Sequence, residues 1–101
     1  MTTIESTIQI PQDVLFHDLS GEAVLLNLAT GKYFGLDEVG SRMWELLSQH
    51  GSIQPAFLTL LEEFEVDEEQ LRTDLITLVD ELASHGLLTI IPPPMGEKSR
   101  I

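Results

Sequence analysis

The chain contains no cysteine, which excludes a disulfide framework, a thiolate zinc site and a cysteine nucleophile together. That absence fits a reducing compartment, and a cytoplasmic location is expected. Basic residues are nearly as scarce. Of 101 residues only Lys32, Arg42, Arg72, Lys98 and Arg100 are basic, against 17 acids, giving a formal net charge of −12. Nucleic-acid affinity comes largely from neutralising phosphates, and anionic lipid attracts the same cations, so neither nucleic acid nor membrane is an expected partner. The N-terminus, Met1 to Glu5, lacks the basic and apolar regions of an export signal. No uncharged apolar run approaches the roughly 18 residues that span a bilayer.

The usual marks of catalysis are missing as well. There is no phosphate-cradling glycine loop and no Gly-x-Ser-x-Gly elbow. His17, His50 and His85 share no local motif, and the carboxylates are dispersed, so no general acid/base pair stands out. No catalytic residue, metal or cofactor is expected. What is present is a 43% apolar content, enough for one domain with one core. The expected organisation is an extended arm over 1–13, a domain over 14–91 and a Pro-initiated tail over 92–101.

In the arm, Ile4, Ile8 and Ile10 fall on alternate positions before Pro11 interrupts. Val14–Leu19 reads as a first strand, Ser20-Gly21 as a turn, and Glu22–Leu28 as a second strand. Ala29-Thr30-Gly31-Lys32 is a second turn, leading into a short third strand over Lys32–Leu36. Tight turns between consecutive strands predict an antiparallel meander. The period then changes from two to about 3.6. Asp37 is placed to cap a helix running to about Gln49, with Gly51 as its stop. Ser52 is placed to cap a second helix from Ile53 to about Phe64. Asp67 is placed to cap the longest, from Glu68 to about His85, ended by Gly86. Leu87 to Ile91 reads as a short extended finish. The fold class is α+β: a three-stranded antiparallel sheet followed by three helices, like a winged helix-turn-helix in outline.

The third helix carries two apolar stripes. Leu71, Leu75, Leu78 and Leu82 follow the spacing of one buried face, and Ile76, Val79 and Ala83 form a second stripe in line with Arg72. Either the second stripe packs under the sheet, or it lines a shallow groove. The third strand, an edge strand in a meander, has Lys32 as its only gatekeeper. An open edge beside an apolar groove suits a peptide added as a further strand. Tyr33, on that edge, suits ligand contact as well as core packing, whereas Trp44 belongs to the core. Nine acids between Glu62 and Glu81 form a solvated face or steer a basic partner.

The run from Gly21 to Leu28, then Thr30 to Asp37, then Val39 to Trp44, resembles the PqqD-like family, recognition elements of ribosomally synthesised, post-translationally modified peptides. The likeness continues through Asp74 to the closing Leu82-Ala83-Ser84-His85-Gly86-Leu87-Leu88, and covers roughly residues 14–90. It implies a winged-helix-like fold whose third strand and third helix clamp a leader peptide, and it implies no catalysis. Carried over by position, the binding wall is Lys32, Tyr33, Phe34, Gly35 and Leu36 with Arg72, Ile76, Val79 and Ala83. The implied partners are a precursor leader peptide and a maturation enzyme. The pyrroloquinoline-quinone branch commonly has Pro-Glu-Gly before the third strand. This chain has Leu28-Ala29-Thr30-Gly31 there, and looks more like the stand-alone modules of lasso-peptide pathways that partner a leader peptidase. The alternatives are a quinone-pathway role, a protein–protein adaptor and a winged-helix DNA-binding regulator. Helices two and three argue against the last, because they present acids where phosphates would lie. The arm, as a strand of its own, either fills the groove or swaps into a second copy, so the expected state is a monomer or a swapped dimer.

Overall fold

The computed structural model describes residues 2–93; Met1 and, from residue 94 on, the expected tail lie outside the described residues. The elements are β1 (Thr7–Gln9), β2 (Val14–Leu19), β3 (Glu22–Asn27), β4 (Tyr33–Leu36), α1 (Glu38–His50), α2 (Ile53–Glu63), α3 (Glu68–Ser84) and β5 (Thr89–Ile91). The expected meander and three helices are all present, with ends differing by a residue or so.

The order β2-β3-β4 makes β3 the centre of an antiparallel sheet and leaves β4 at one edge. The β2–β3 turn has only two residues between the Leu19↔Glu22 pair, Ser20 and Gly21, with φ of 59° and 95°. Positive φ at both positions gives a turn whose twist matches that of the strands, and it explains the glycine. Between β3 and β4 the Gly31 N–H donates to the Asn27 carbonyl at 2.7 Å, and the Asn27 N–H to the Lys32 carbonyl at 2.9 Å. Lys32 therefore closes the turn, and the strand begins at Tyr33.

Alternation sorts the sheet into two faces. Ala23 and Leu25 turn inward and are buried, as is Leu36 on β4. They meet Met43, Trp44, Leu46 and Leu47 of α1, Ile53, Phe57 and Leu60 of α2, and α3 in one core. Trp44 is 4% exposed, as expected. Asp37 caps α1 by accepting from the Gly40 N–H at 2.8 Å, and Gly51, at φ 68°, ends it. Asp67 caps α3 by accepting from the Gln70 N–H at 3.0 Å. Ser52 occupies the N-cap position of α2 without a side-chain cap bond. Its backbone is used instead, in a bridge to Thr7, and the Ile53 N–H donates to the Ser6 carbonyl at 3.2 Å.

Two features differ from the sequence reading. The arm pairs antiparallel with β5, through Thr7↔Ile91, Ile8↔Ile90 and Gln9↔Thr89, and not with β4; Ile8 joins the core. In α3 the buried stripe is Leu71, Leu75, Val79 and Leu82, while Leu78 is only half-buried. No helix among the described residues is long and apolar enough to cross a membrane.

Candidate functional site: the open edge of β4 and the facing side of α3

The phase of hydrogen bonding along β4 follows from the Asn27–Lys32 bond. Leu25↔Phe34 and Ala23↔Leu36 are in phase with it, so Phe34 and Leu36 spend their N–H and C=O groups on β3. The groups of Tyr33 and Gly35 point away from the sheet, because directions alternate in an antiparallel ladder. They have no backbone partner among the described residues. Side chains alternate too. Phe34 and Leu36 face the helices, while Tyr33, 71% exposed, lies on the opposite face with Gly35.

The far wall of the groove is one stripe of α3. The His85 ring meets Phe34 edge-on, with centroids 5.0 Å apart. At the Leu36 end of β4, a concavity of about 430 Å³ is lined by Asp37, Gly40 and Met43 on one side and by Asp74, Leu78 and Glu81 on the other. Asp74, Leu78, Glu81 and His85 recur at helical spacing, so one flank of α3 faces the strand.

The helical part of the expected wall lies on a different flank of α3 from the one that faces the strand. Val79 is 0% exposed, a core residue with no accessible surface. Arg72 turns toward α2, with its guanidinium 5.1 Å from the centroid of the Phe57 ring, and it pairs with Glu68 at 3.3 Å. Ile76 and Ala83 share the flank of Arg72 by helical spacing, and there the Thr2 hydroxyl donates to Asp80. On that flank α2 lies beside Arg72 and the arm reaches Asp80, while Ile76 and Ala83 are half-buried. Of the expected residues, the structure gathers Lys32 to Leu36 at one edge and sets Arg72, Ile76 and Ala83 apart from it.

Asn27 was missed, and it fixes the geometry. At 5% exposure, its Nδ2 donates to the Gly86 carbonyl at 2.7 Å, and its Oδ1 accepts from the Ala29 and Thr30 N–H groups at 2.8 and 3.3 Å. One side chain thus ties the turn entering β4 to the end of α3. An asparagine opening a Gly-containing turn was the available signal, but its partner 59 residues away was not.

The outer sheet face is apolar and open. Leu15, Leu19, Val24, Leu26 and Tyr33 share it, and Leu15 and Leu19 are about half exposed. These apolar residues lie side by side on one sheet face rather than scattered singly. On α1, in a hollow shared with Phe16 and Asp18 of β2, Arg42 donates from Nε to Glu63 at 2.9 Å and from Nη1 to Glu45 at 3.1 Å. These hydrogen bonds hold the guanidinium proton more tightly than usual and the Glu63 carboxyl below its ordinary range. No group of three or more His, Cys, Asp or Glu that could hold a metal ion occurs among the described residues.

The profile of the family described as "Coenzyme PQQ synthesis protein D (PqqD)" matches residues 22–88, from the start of β3 to the residue before β5. The chain belongs to this family. Among solved structures, "TbiB1 in Complex with the TbiA(beta) Leader Peptide" matches with a TM-score of 0.73 at 38% identity, covering 79% of this chain and 93% of that one. "Lasso peptide synthetase B1 complexed with the leader peptide" matches with a TM-score of 0.72 at 20% identity, covering 82% and 98%; at that identity the likeness speaks to fold. No curated protein matched.

Proposed function

We propose that the chain is a non-catalytic recognition element. It takes the leader of a ribosomally made precursor peptide as an added strand on β4 and presents it to a maturation enzyme, a leader peptidase of a lasso-peptide pathway. The observation that carries this reading is the outward-pointing pair of Tyr33 and Gly35, beside a groove walled by α3. Strand addition obtains affinity from main-chain bonds and selectivity from side-chain pockets, and this edge offers both. The 38% identical relative is a complex with a leader peptide, which supports the same use here. The missing Pro-Glu-Gly turn favours that pathway over quinone-cofactor synthesis. The open outer sheet face, which a leader strand on β4 would widen, suits the enzyme partner.

The test is binding of a fluorescently labelled TbiA(beta) leader peptide, read by anisotropy, with the peptide's mass followed alongside. Saturable binding and an unchanged peptide mass are expected. Absence of binding contradicts leader recognition, and cleavage by the purified chain alone contradicts the non-catalytic role.

A further inference from the structure

We propose that the leader-binding surface continues past Leu36 around the N-terminal end of α1, as a channel for a leader segment carrying an apolar side chain beside a lysine or arginine. The inference rests on the leader-binding reading above and specifies the peptide it takes. The concavity at the end of β4 does not close there. It shares Val39, Met43 and Asp74 with a narrower notch of about 200 Å³, completed by Phe64, Val66 and Leu71 where the α2–α3 connection passes. A chain leaving the β4 edge at Leu36 meets the first hollow and then the second.

The notch has a buried floor and open rims. Met43 and Leu71 are 4% exposed, while Val39 and Val66 are 42% and 49% exposed. An apolar side chain seated there would cover two valines that otherwise face water. The rim has one sign. Asp37, Asp74 and Glu81 line the larger hollow, no lysine or arginine lines either, and no lysine or arginine among the described residues pairs with these three acids. The Asp37 and Asp74 carboxylates each accept a local hydrogen bond through Oδ1, from the Gly40 N–H at 2.8 Å and from Gln70 Nε2 at 2.9 Å. Neither bond brings a positive charge. A lysine or arginine suits both features, since its stem lies along apolar surface while its head reaches the carboxylates. A second copy of a chain with net charge −12 is a poor occupant.

Antiparallel addition, the more stable pairing, places this segment on the N-terminal side of the leader's strand. The test is a peptide-display library built on the TbiA(beta) leader, with successive windows of about four residues randomised, selected on the full chain. Windows just N-terminal to the pairing stretch should return Lys or Arg next to an apolar residue, enriched about 5-fold, the scale of two exposed ion pairs. The enrichment should vanish on the Asp74→Asn, Glu81→Gln double variant, with circular dichroism checking that it is folded. If the unrandomised leader binds but no window enriches Lys or Arg, or the enrichment persists on the folded variant, the channel is overturned and strand addition stands. If the unrandomised leader does not bind, strand addition fails, and the channel with it.

Discussion

Replacing Asn27 by alanine tests whether one buried side chain sets the spacing between β4 and α3. The substitution removes the donor to Gly86 and the acceptor for the Ala29 and Thr30 N–H groups. Each such bond contributes about 1 kcal/mol net, and more when the abandoned group stays dry. Ala29, Thr30 and Gly86 are exposed, so water replaces part of what is lost. The expected destabilisation is about 2 kcal/mol, which for a domain of this size lowers Tm by about 8–16 °C. Urea unfolding followed through buried Trp44 measures it, with an unchanged slope expected because the same surface unfolds. Asn27→Asp separates the two functions of the side chain. It keeps the turn acceptors but offers no donor to Gly86, so it should weaken leader binding along with stability. A loss under about 0.5 kcal/mol in the alanine variant, within the range of ordinary surface substitutions, refutes the assignment of Asn27 as the tie.

Proline distinguishes the two directions of backbone groups on β4. Tyr33→Pro, at the first residue of an edge strand with an outward N–H, should fold and bind leader at least about 5-fold more weakly; Phe34→Pro should unfold the sheet, with a cost of about 3 kcal/mol seen by thermal melting. Arg72→Ala should leave leader affinity within 2-fold in anisotropy titrations, since Arg72 stacks on Phe57 away from the groove. Leu15→Asp on the outer sheet face should preserve leader binding but abolish stimulation of the partner peptidase, read as cleavage of the precursor. The Arg42–Glu63 pair has a defined pH sign. Because its folded carboxyl titrates below the ordinary value of 4.5, its contribution is present above that value and is lost as pH falls through the lowered one. The stability difference between wild type and Arg42→Ala, from melts at stepped pH, should therefore shrink on acidification, and a difference that grows contradicts the pairing.

Local signals carried most of the fold. Ser20-Gly21 and Thr30-Gly31 marked turns whose backbones do take positive φ at Ser20, Gly21 and Gly31, and Asp37 and Asp67 cap the helices they precede. The β4 edge was legible because three short strands joined by tight turns have essentially one order. The phase of α3 was not. Leu78 and Val79 are adjacent, both apolar and both compatible with a buried stripe, so periodicity alone did not choose between them. The choice was made by long-range packing: Val79 joins the core, while Phe57 lies under Arg72 and Thr2 reaches Asp80 on the far flank. The arm was expected in the groove or in a second copy, and its pairing with β5 has no local signal in the sequence.

The most direct measurement is an amide NMR titration of the labelled chain with the TbiA(beta) leader peptide. Saturable shifts should centre on Tyr33 and Gly35 and extend along Asp74, Leu78, Glu81 and His85, while Arg72, Ile76 and Ala83 stay still. Shifts confined to the Arg72–Ala83 flank, or to the edge of β2, would contradict strand addition at β4.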